Sequence, residues 1–288
     1  MKPLKIALYL SLAIAVFFLA ERLYYHYTGD FRLANISYEN TAYQPQTSQP
    51  SLSKEDKLNL CPILNQSYTF LGKGNQSYAF VSQDGLYVLK FFKFGHIKRS
   101  WFLNAKSQEK RFLKVFAGYQ LAYDLDRENT GLLYIHVNKT QGLATVVSLK
   151  DKVGFTHAID LDQVVFVLQK KMTPTNELFT QLLKSGSLTA VKKRISQLFS
   201  LYHSEYKKGI YDRDHNLMYN TGFTDNQALR LDVGKLRQDD QMKQPEVYKK
   251  DLQKVAFKRI HGWFKKYYPQ NLEEITHFMQ TEIERYNE

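Results

Sequence analysis

A chain of 288 residues, 43% hydrophobic and 24% charged, has the length and balance of one two-lobed globular domain or two small ones. Its single cysteine, Cys61, excludes an intrachain disulfide framework and any cysteine-rich zinc site. A net charge of +12 favours anionic partners such as a nucleotide or an acidic membrane surface. No basic–aromatic recognition motif or zinc-finger spacing accompanies that charge, so nucleic acid is not expected as a partner.

Residues 1–27 read as a membrane anchor. Lys2 and Lys5 precede an uncharged apolar run over residues 6–20. That run is short for a span by itself, but Leu4, Leu23 and the interfacial aromatics Tyr24, Tyr25 and Tyr27 extend it. A cleaved signal peptide is the competing reading, and Phe18-Leu19-Ala20 fits its small-residue cleavage pattern poorly. The positive-inside rule places the rest of the chain outside, where ATP is scarce, and the side of the membrane is left open. Residues 28–57, rich in Gln, Ser, Asn, Thr and Pro, read as a tether, and residues 44–51 in particular lack any apolar period.

From Tyr68 the pattern becomes strand-like and leads into Gly72-Lys73-Gly74 and Ser77. A second strand follows, Asp84-Gly85 supplies a tight hairpin turn, and a third strand carries Lys90. Residues 105–126 read as a helix with Phe112, Val115, Phe116, Tyr119 and Ala122 near helical spacing, and with Glu109 about nineteen positions after Lys90. Strands are expected over 131–137, 143–149 and 163–169, then a hinge at Gln169–Met172 and a short helix over 176–183. The clearest helix spans 189–208, with an apolar stripe of Val191, Ile195, Leu198, Phe199 and Tyr202 and Gly209 as its stop. Two further helices are expected over 247–268 and 272–286, the first strongly basic.

Residues 209–235 concentrate the chemistry. Asp212-Arg213-Asp214 follows the long helix, Asn220 lies a few residues on, and a short strand at 228–231 ends in Asp232-Val233-Gly234. A base-like Asp, an amide ligand and a metal-binding Asp in that order are what phosphoryl transfer requires. His215 reads first as a loop-packing residue and second as a proton-transfer participant, and His203 as an ordinary helix residue.

Taken together, residues 66–240 resemble the protein-kinase-like superfamily. Gly72-x-Gly74-x-x-Ser77 is similar to the glycine-rich loop with Ser for the third Gly, and Val88-Leu89-Lys90 to the V-A-I-K strand. Asp212-Arg213-Asp214 is similar to H-R-D with Asp in first place, and Asp232-Val233-Gly234 to D-F-G with Val for Phe. The resemblance implies an α+β, bilobal fold, with a sheet lobe over 58–172 and a short helical lobe over 173–288. It implies ATP and Mg²⁺ as cofactors: Gly72, Gly74, Ser77 and Lys90 on the phosphates, Glu109 positioning Lys90, and Met172 at the adenine. Asp214 would be the base, with Asn220 and Asp232 on the metal; the residues leave Asp212 open as an alternative base.

The family places four residues between its Asp and Asn, whereas five separate Asp214 from Asn220. Only about fifty residues follow Gly234, too few for a peptide-docking platform. The shortening resembles small-molecule and lipopolysaccharide kinase branches, which implies a small-molecule or envelope-glycolipid acceptor. A catalytically inactive scaffold at the membrane is the alternative.

Overall fold

The apolar N-terminal run becomes one continuous helix, α1 (Lys2–Thr28), in the computed structural model, which describes residues 2–38, 52–94, 105–225 and 227–286. Its segment Lys5–Thr28 has a mean hydropathy of 1.9 and no burial, and at ~1.5 Å per residue it is long enough to cross a bilayer core. The chain divides into two compact units, Met1–Lys106 with His136–Val167, and Ser107–Ile135 with Leu168–Glu288.

In the first unit the residues after α1 dock instead of trailing off. A short helix, α2 (Leu33–Ile36), follows Phe31, and both Phe31 and Ile36 are buried. Phe31 packs edge-on against Tyr78 and Phe80. The Tyr78 hydroxyl donates to the Asp30 carbonyl at 2.6 Å and accepts from Asn35 Nδ2 at 3.1 Å. The expected tether therefore begins with a packed segment, because Phe31 has an aromatic surface to cover. Residues 44–51, its most polar stretch, lie outside the described residues. Helix α3 (Lys54–Leu64) starts inside the expected tether too, behind a capping box in which Ser53 Oγ accepts from the Asp56 amide and Asp56 accepts from the Ser53 amide.

Strands β1 (Ser67–Lys73), β2 (Ser77–Ser82) and β3 (Tyr87–Phe92) form an antiparallel meander. The β2–β3 turn is fixed by Asp84, whose side chain accepts from the Leu86 amide at 2.9 Å, and by Gly85 at φ +74°. β5 (Val146–Lys150) pairs parallel with β1, and β6 (Thr156–Asp160), a strand the sequence pattern did not suggest, pairs antiparallel with β5. With β4 (Leu132–His136) and β7 (Phe166–Lys170), which run across the division between units, the sheet order is β4-β7-β3-β2-β1-β5-β6. Helix α4 (Ala105–Leu125) also begins at the division.

The second unit is mostly helical. After β8 (Thr173–Pro174) come α5 (Thr175–Lys184) and α6 (Leu188–Lys207). The expected stripe of α6 is buried, and Tyr206 and the charged Glu205 extend it. Two small ladders follow: β9 (Ile210–Asp212) pairs with β12 (Leu236–Gln238), while β10 (Thr221–Phe223) lies between β8 and β11 (Ala228–Arg230). The four-residue helix α7 (Leu217–Asn220) precedes β10. Helices α8 (Pro245–Leu252), α9 (Lys258–Tyr267) and α10 (Leu272–Glu284) close a core with α5 and α6. The molecule is of mixed α+β class. Residues 107–135 group with this helical unit. Their attachment is close: a Cβ on Gly118 of α4 would stand 2.5 Å from the Val233 carbonyl oxygen and 2.7 Å from that of Gly234.

Candidate functional site

Two aspartates two residues apart receive opposite environments in the second unit. Asp212 ends β9 and is buried. Its Oδ2 accepts from Arg230 Nη1 at 3.0 Å, while its Oδ1 accepts from the Asp214 amide at 2.8 Å. Arg230 is fully buried on β11, and its Nε and Nη2 grip both oxygens of Glu205 at 2.7 and 2.6 Å. The guanidinium also donates to the Tyr202 hydroxyl at 3.1 Å and lies over that ring. This network uses Asp212 to fix the loop backbone, so Asp214 is the carboxylate left facing outward.

Asp214 meets two donors. Lys235 Nζ lies 2.8 Å from Oδ1, and Asn220 Nδ2 donates to Oδ2 at 3.1 Å. Burial alone would raise the Asp214 carboxyl, but the hydrogen bonds from Lys235 and Asn220 and the nearby positive charge outweigh it and hold the group below the ordinary carboxylate range. His215, next along, adopts φ +53°. Its buried Nδ1 has no hydrogen-bond partner. His203 packs between the rings of Tyr248 and Tyr286, as an ordinary helix residue would.

Asn220 is the link to the second acidic residue. Its carbonyl accepts from the amides of Leu231 at 2.8 Å and Asp232 at 3.2 Å, which sets the Asp232 backbone against α7. Asp232 Oδ1 in turn accepts from the Gly234 amide at 3.0 Å. The structure thus joins Asp214, Asn220 and Asp232 in one hydrogen-bonded segment. The five residues between Asp214 and Asn220 form a short loop and most of the single turn of α7.

Among the described residues no three His, Cys, Asp or Glu side chains gather as a metal cluster. Mg²⁺ does not need one. It binds through one or two hard oxygen ligands and keeps waters or phosphate oxygens for the rest of its octahedron. The Asn220 amide turns its nitrogen to Asp214 and so presents its oxygen elsewhere, and the Asp232 carboxylate supplies a second hard donor. This donor set fits Mg²⁺.

Elsewhere in this unit, Met172 is buried, close to Gly131 and Gly222, and Glu109 is half-buried near the start of α4. Glu128 is held by Lys208, which also binds Asp126 at 2.7 Å.

The remaining candidates lie in the first unit. The β1–β2 connection closes with the Gly74 amide donating to the Ser77 carbonyl at 2.9 Å. A Cβ on Gly72 would meet nothing within 4 Å, and neither Gly72 nor Gly74 has a left-handed φ. Packing and backbone conformation therefore leave these glycines unexplained, and an open backbone face of this kind suits the close approach of a phosphate chain. Lys90 stands half-buried on β3 opposite Ala79.

Sequence reasoning missed three residues. Lys93 donates to the Gly74 carbonyl at 2.7 Å and lies over the Tyr78 ring, tying the glycine loop to the sheet. Burial pulls its ammonium below the usual lysine range. Lys235 was visible only as a cation directly after Asp232-Val233-Gly234. Arg230 carried a readable signal, since a charged residue in an apolar strand demands a buried carboxylate partner.

Among solved structures, the chain is similar to the bifunctional kinase-methyltransferase WbdD, at 14% identity over 64% of this chain and 34% of that one, with a TM-score of 0.36. The complex of WbdD with the kinase inhibitor LY294002 matches at 14% identity over 76% of this chain and 45% of that one, with a TM-score of 0.40. The streptomycin–ATP–APH(2'')-IIa ternary complex matches at 14% identity over 79% of this chain and 87% of that one, with a TM-score of 0.29. These neighbours are protein-kinase-like. The chain spans less than half the length of the WbdD chains it matches. No protein-family model and no curated protein matches it.

Proposed function

We propose that this chain is a kinase-like phosphotransferase, held at a membrane by α1, that moves phosphate from ATP to a hydroxyl of a small molecule or an envelope glycolipid. The observation that carries the reading is the Asp214–Asn220–Asp232 segment: one carboxylate offered outward, and an amide and a second carboxylate tied to it through a single residue's side chain and carbonyl. Asp214 takes the role of orienting the acceptor hydroxyl and receiving its proton. Its lowered affinity for protons keeps it ionised at neutral pH, so the acceptor hydroxyl is held by a full negative charge. Asn220 and Asp232 would hold Mg²⁺, which when bound neutralises charge on the phosphate oxygens. Gly72, Gly74 and Ser77 would lie along the phosphates, Lys90 would hold them, Glu109 would position Lys90, and Met172 would line the adenine site. Asp212 is assigned a structural role, since Arg230 and the Asp214 amide occupy both of its oxygens.

One observation favours a second reading, a nucleotide-binding module without transfer. Lys235 and Asn220 already donate to the two oxygens of Asp214, so an acceptor hydroxyl would have to share a carboxylate that is engaged twice. The test is ATP turnover by the full chain with a panel of saccharide, aminoglycoside and glycolipid acceptors, beside an Asp214→Asn variant. Acceptor-dependent release of ADP that disappears in the variant supports transfer. Nucleotide binding with no release under any acceptor supports the second reading.

A further inference from the structure

The second unit carries a small cleft, about 360 Å³, that the proposed phosphotransfer does not use. It is lined by Asn176 and Thr180 of α5, Tyr219 of α7, Trp263 and Tyr267 of α9, and Tyr268. The volume lies at the low end of small-molecule pockets, ~300–1,000 Å³, which suits one or two rings. Its walls are aromatic. Trp263 and Tyr268 lie 5.2 Å apart at an interplanar angle of 31°, and Trp263 and Tyr267 5.7 Å apart. Tyr219 and Tyr267 are about half exposed, an unusual allowance for aromatic rings beside a packed core.

The polar groups point to a neutral ligand. Asn176 lines the cleft with a half-buried amide side chain, and its backbone carbonyl accepts from the Thr180 hydroxyl at 2.7 Å. With its proton given to that carbonyl, the Thr180 hydroxyl is left as an acceptor for a ligand hydroxyl. No acidic or basic side chain lines the cleft; Lys266 is close by, but its ammonium lies over the Tyr267 ring at 4.8 Å. A ligand that matches needs apolar C–H faces to lie on electron-rich rings and hydroxyls at its rim to meet an amide and an alcohol. A pyranose ring has both.

We infer that the Asn176–Tyr219–Trp263–Tyr267 cleft is a saccharide-binding subsite for a neutral hexopyranose. Tyr219 stands between Asp214 and Asn220 in the chain, and α7 packs against both α5 and α9. A sugar held there lies beside the segment that carries the base. Its use as phosphate acceptor rests on the proposed function; its binding does not.

The chain has two tryptophans, so in a Trp101→Phe background the emission reports on Trp263 alone. The full chain in a non-glycosidic detergent is titrated with methyl mannoside, N-acetylglucosamine, lactose and adenosine, and with vesicles containing lactosylceramide. A saturable change with at least one saccharide is expected, weakened roughly two- to tenfold in Tyr267→Ala and also in Asn176→Ala, with melting temperatures kept. A response to lactosylceramide but not lactose assigns the ring to a glycolipid, and the reverse assigns it to a free saccharide. No response from the folded protein, a response to adenosine alone, or an unchanged response in both variants overturns the inference. A parallel melt with ATP and Mg²⁺ on the same sample separates the claims. Nucleotide stabilisation without saccharide binding removes the subsite and leaves the kinase-like reading, while saccharide binding without nucleotide stabilisation does the opposite.

Discussion

Arg230 and Asp212 form an ion pair closed to solvent, with Nη1 3.0 Å from Oδ2, and Arg230 simultaneously holds Glu205 through two further bonds. One cation is thus shared by two carboxylates, one from α6 and one from the end of β9. Burial pushes the Glu205 carboxyl up to about 7 even though Arg230 opposes the shift, so removing the guanidinium leaves a carboxyl ready to take a proton and a buried Asp212 without its cation.

Replacing Arg230 with Met is therefore expected to destabilise the protein by ~3–5 kcal/mol, the usual consequence of stranding a buried charge. Adding Glu205→Gln to that variant is expected to recover part of the loss. Thermal or urea melts of the single and double variants check this; a double variant no more stable than Arg230→Met contradicts the shared-cation account.

The two aspartates are expected to separate by phenotype. Asp214→Asn is expected to lower turnover roughly 10²–10⁴-fold while leaving the melting temperature near that of the parent. Asp212→Asn is expected to lower the melting temperature, because it weakens the partner of a buried guanidinium. Measuring both quantities on both variants checks the assignment, and a reversed pattern would make Asp212 the base.

Gly118 tests the attachment of α4 to the Asp232-Val233-Gly234 segment. Since a Cβ there would overlap backbone oxygens at 2.5 and 2.7 Å, even Gly118→Ala forces the segment away. A cost of ~1–3 kcal/mol is expected, as for other overpacked sites. Nucleotide affinity is expected to fall with it, because Asp232 moves. Gly262→Ala, at a glycine with nothing within 4 Å, is the matched control and is expected to be neutral or mildly stabilising.

Asp162 supplies a pH signature. Burial would raise its carboxyl, but the Thr140 hydroxyl and the amides of Ala144, Leu143 and Gly142 all donate to it and bring it below its ordinary value. The folded value lies below the unfolded one, ~3.9, so the stabilisation is complete above that pH and is lost as pH falls through the folded value. The stability gap between the parent and Asp162→Asn is expected to be widest near neutral pH and to shrink below pH ~4. Chemical denaturation across that range measures it, and a gap independent of pH contradicts the assignment.

Local patterns carried most of the fold. The α6 stripe, the Asp84-Gly85 turn and the first three strands each follow from periodicity or turn chemistry within a dozen residues. What escaped depended on distant partners. β6 has one buried residue, Ile159, among exposed or half-exposed ones, so no alternation announced it. The docking of Phe31 required the aromatic surface at Tyr78 and Phe80, far along the chain. At the candidate site, residue types and their order were readable, but the assignment between Asp212 and Asp214 was not. Arg230 settles their environments through contacts that spacing cannot reveal, and Lys235 reaches Asp214 only because β9 and β12 pair.

The central claim is a Mg²⁺-dependent nucleotide site that uses Asp232, and the thermal melt of the full chain with ATP tests it most directly. Ligand binding to the native state raises the melting temperature by mass action. The account predicts a rise with ATP and Mg²⁺ together, a smaller rise with ATP alone, and none of the Mg²⁺-dependent part in Asp232→Ala. A folded parent whose melting temperature ignores ATP and Mg²⁺, or an Asp232→Ala variant that keeps the full rise, would contradict it.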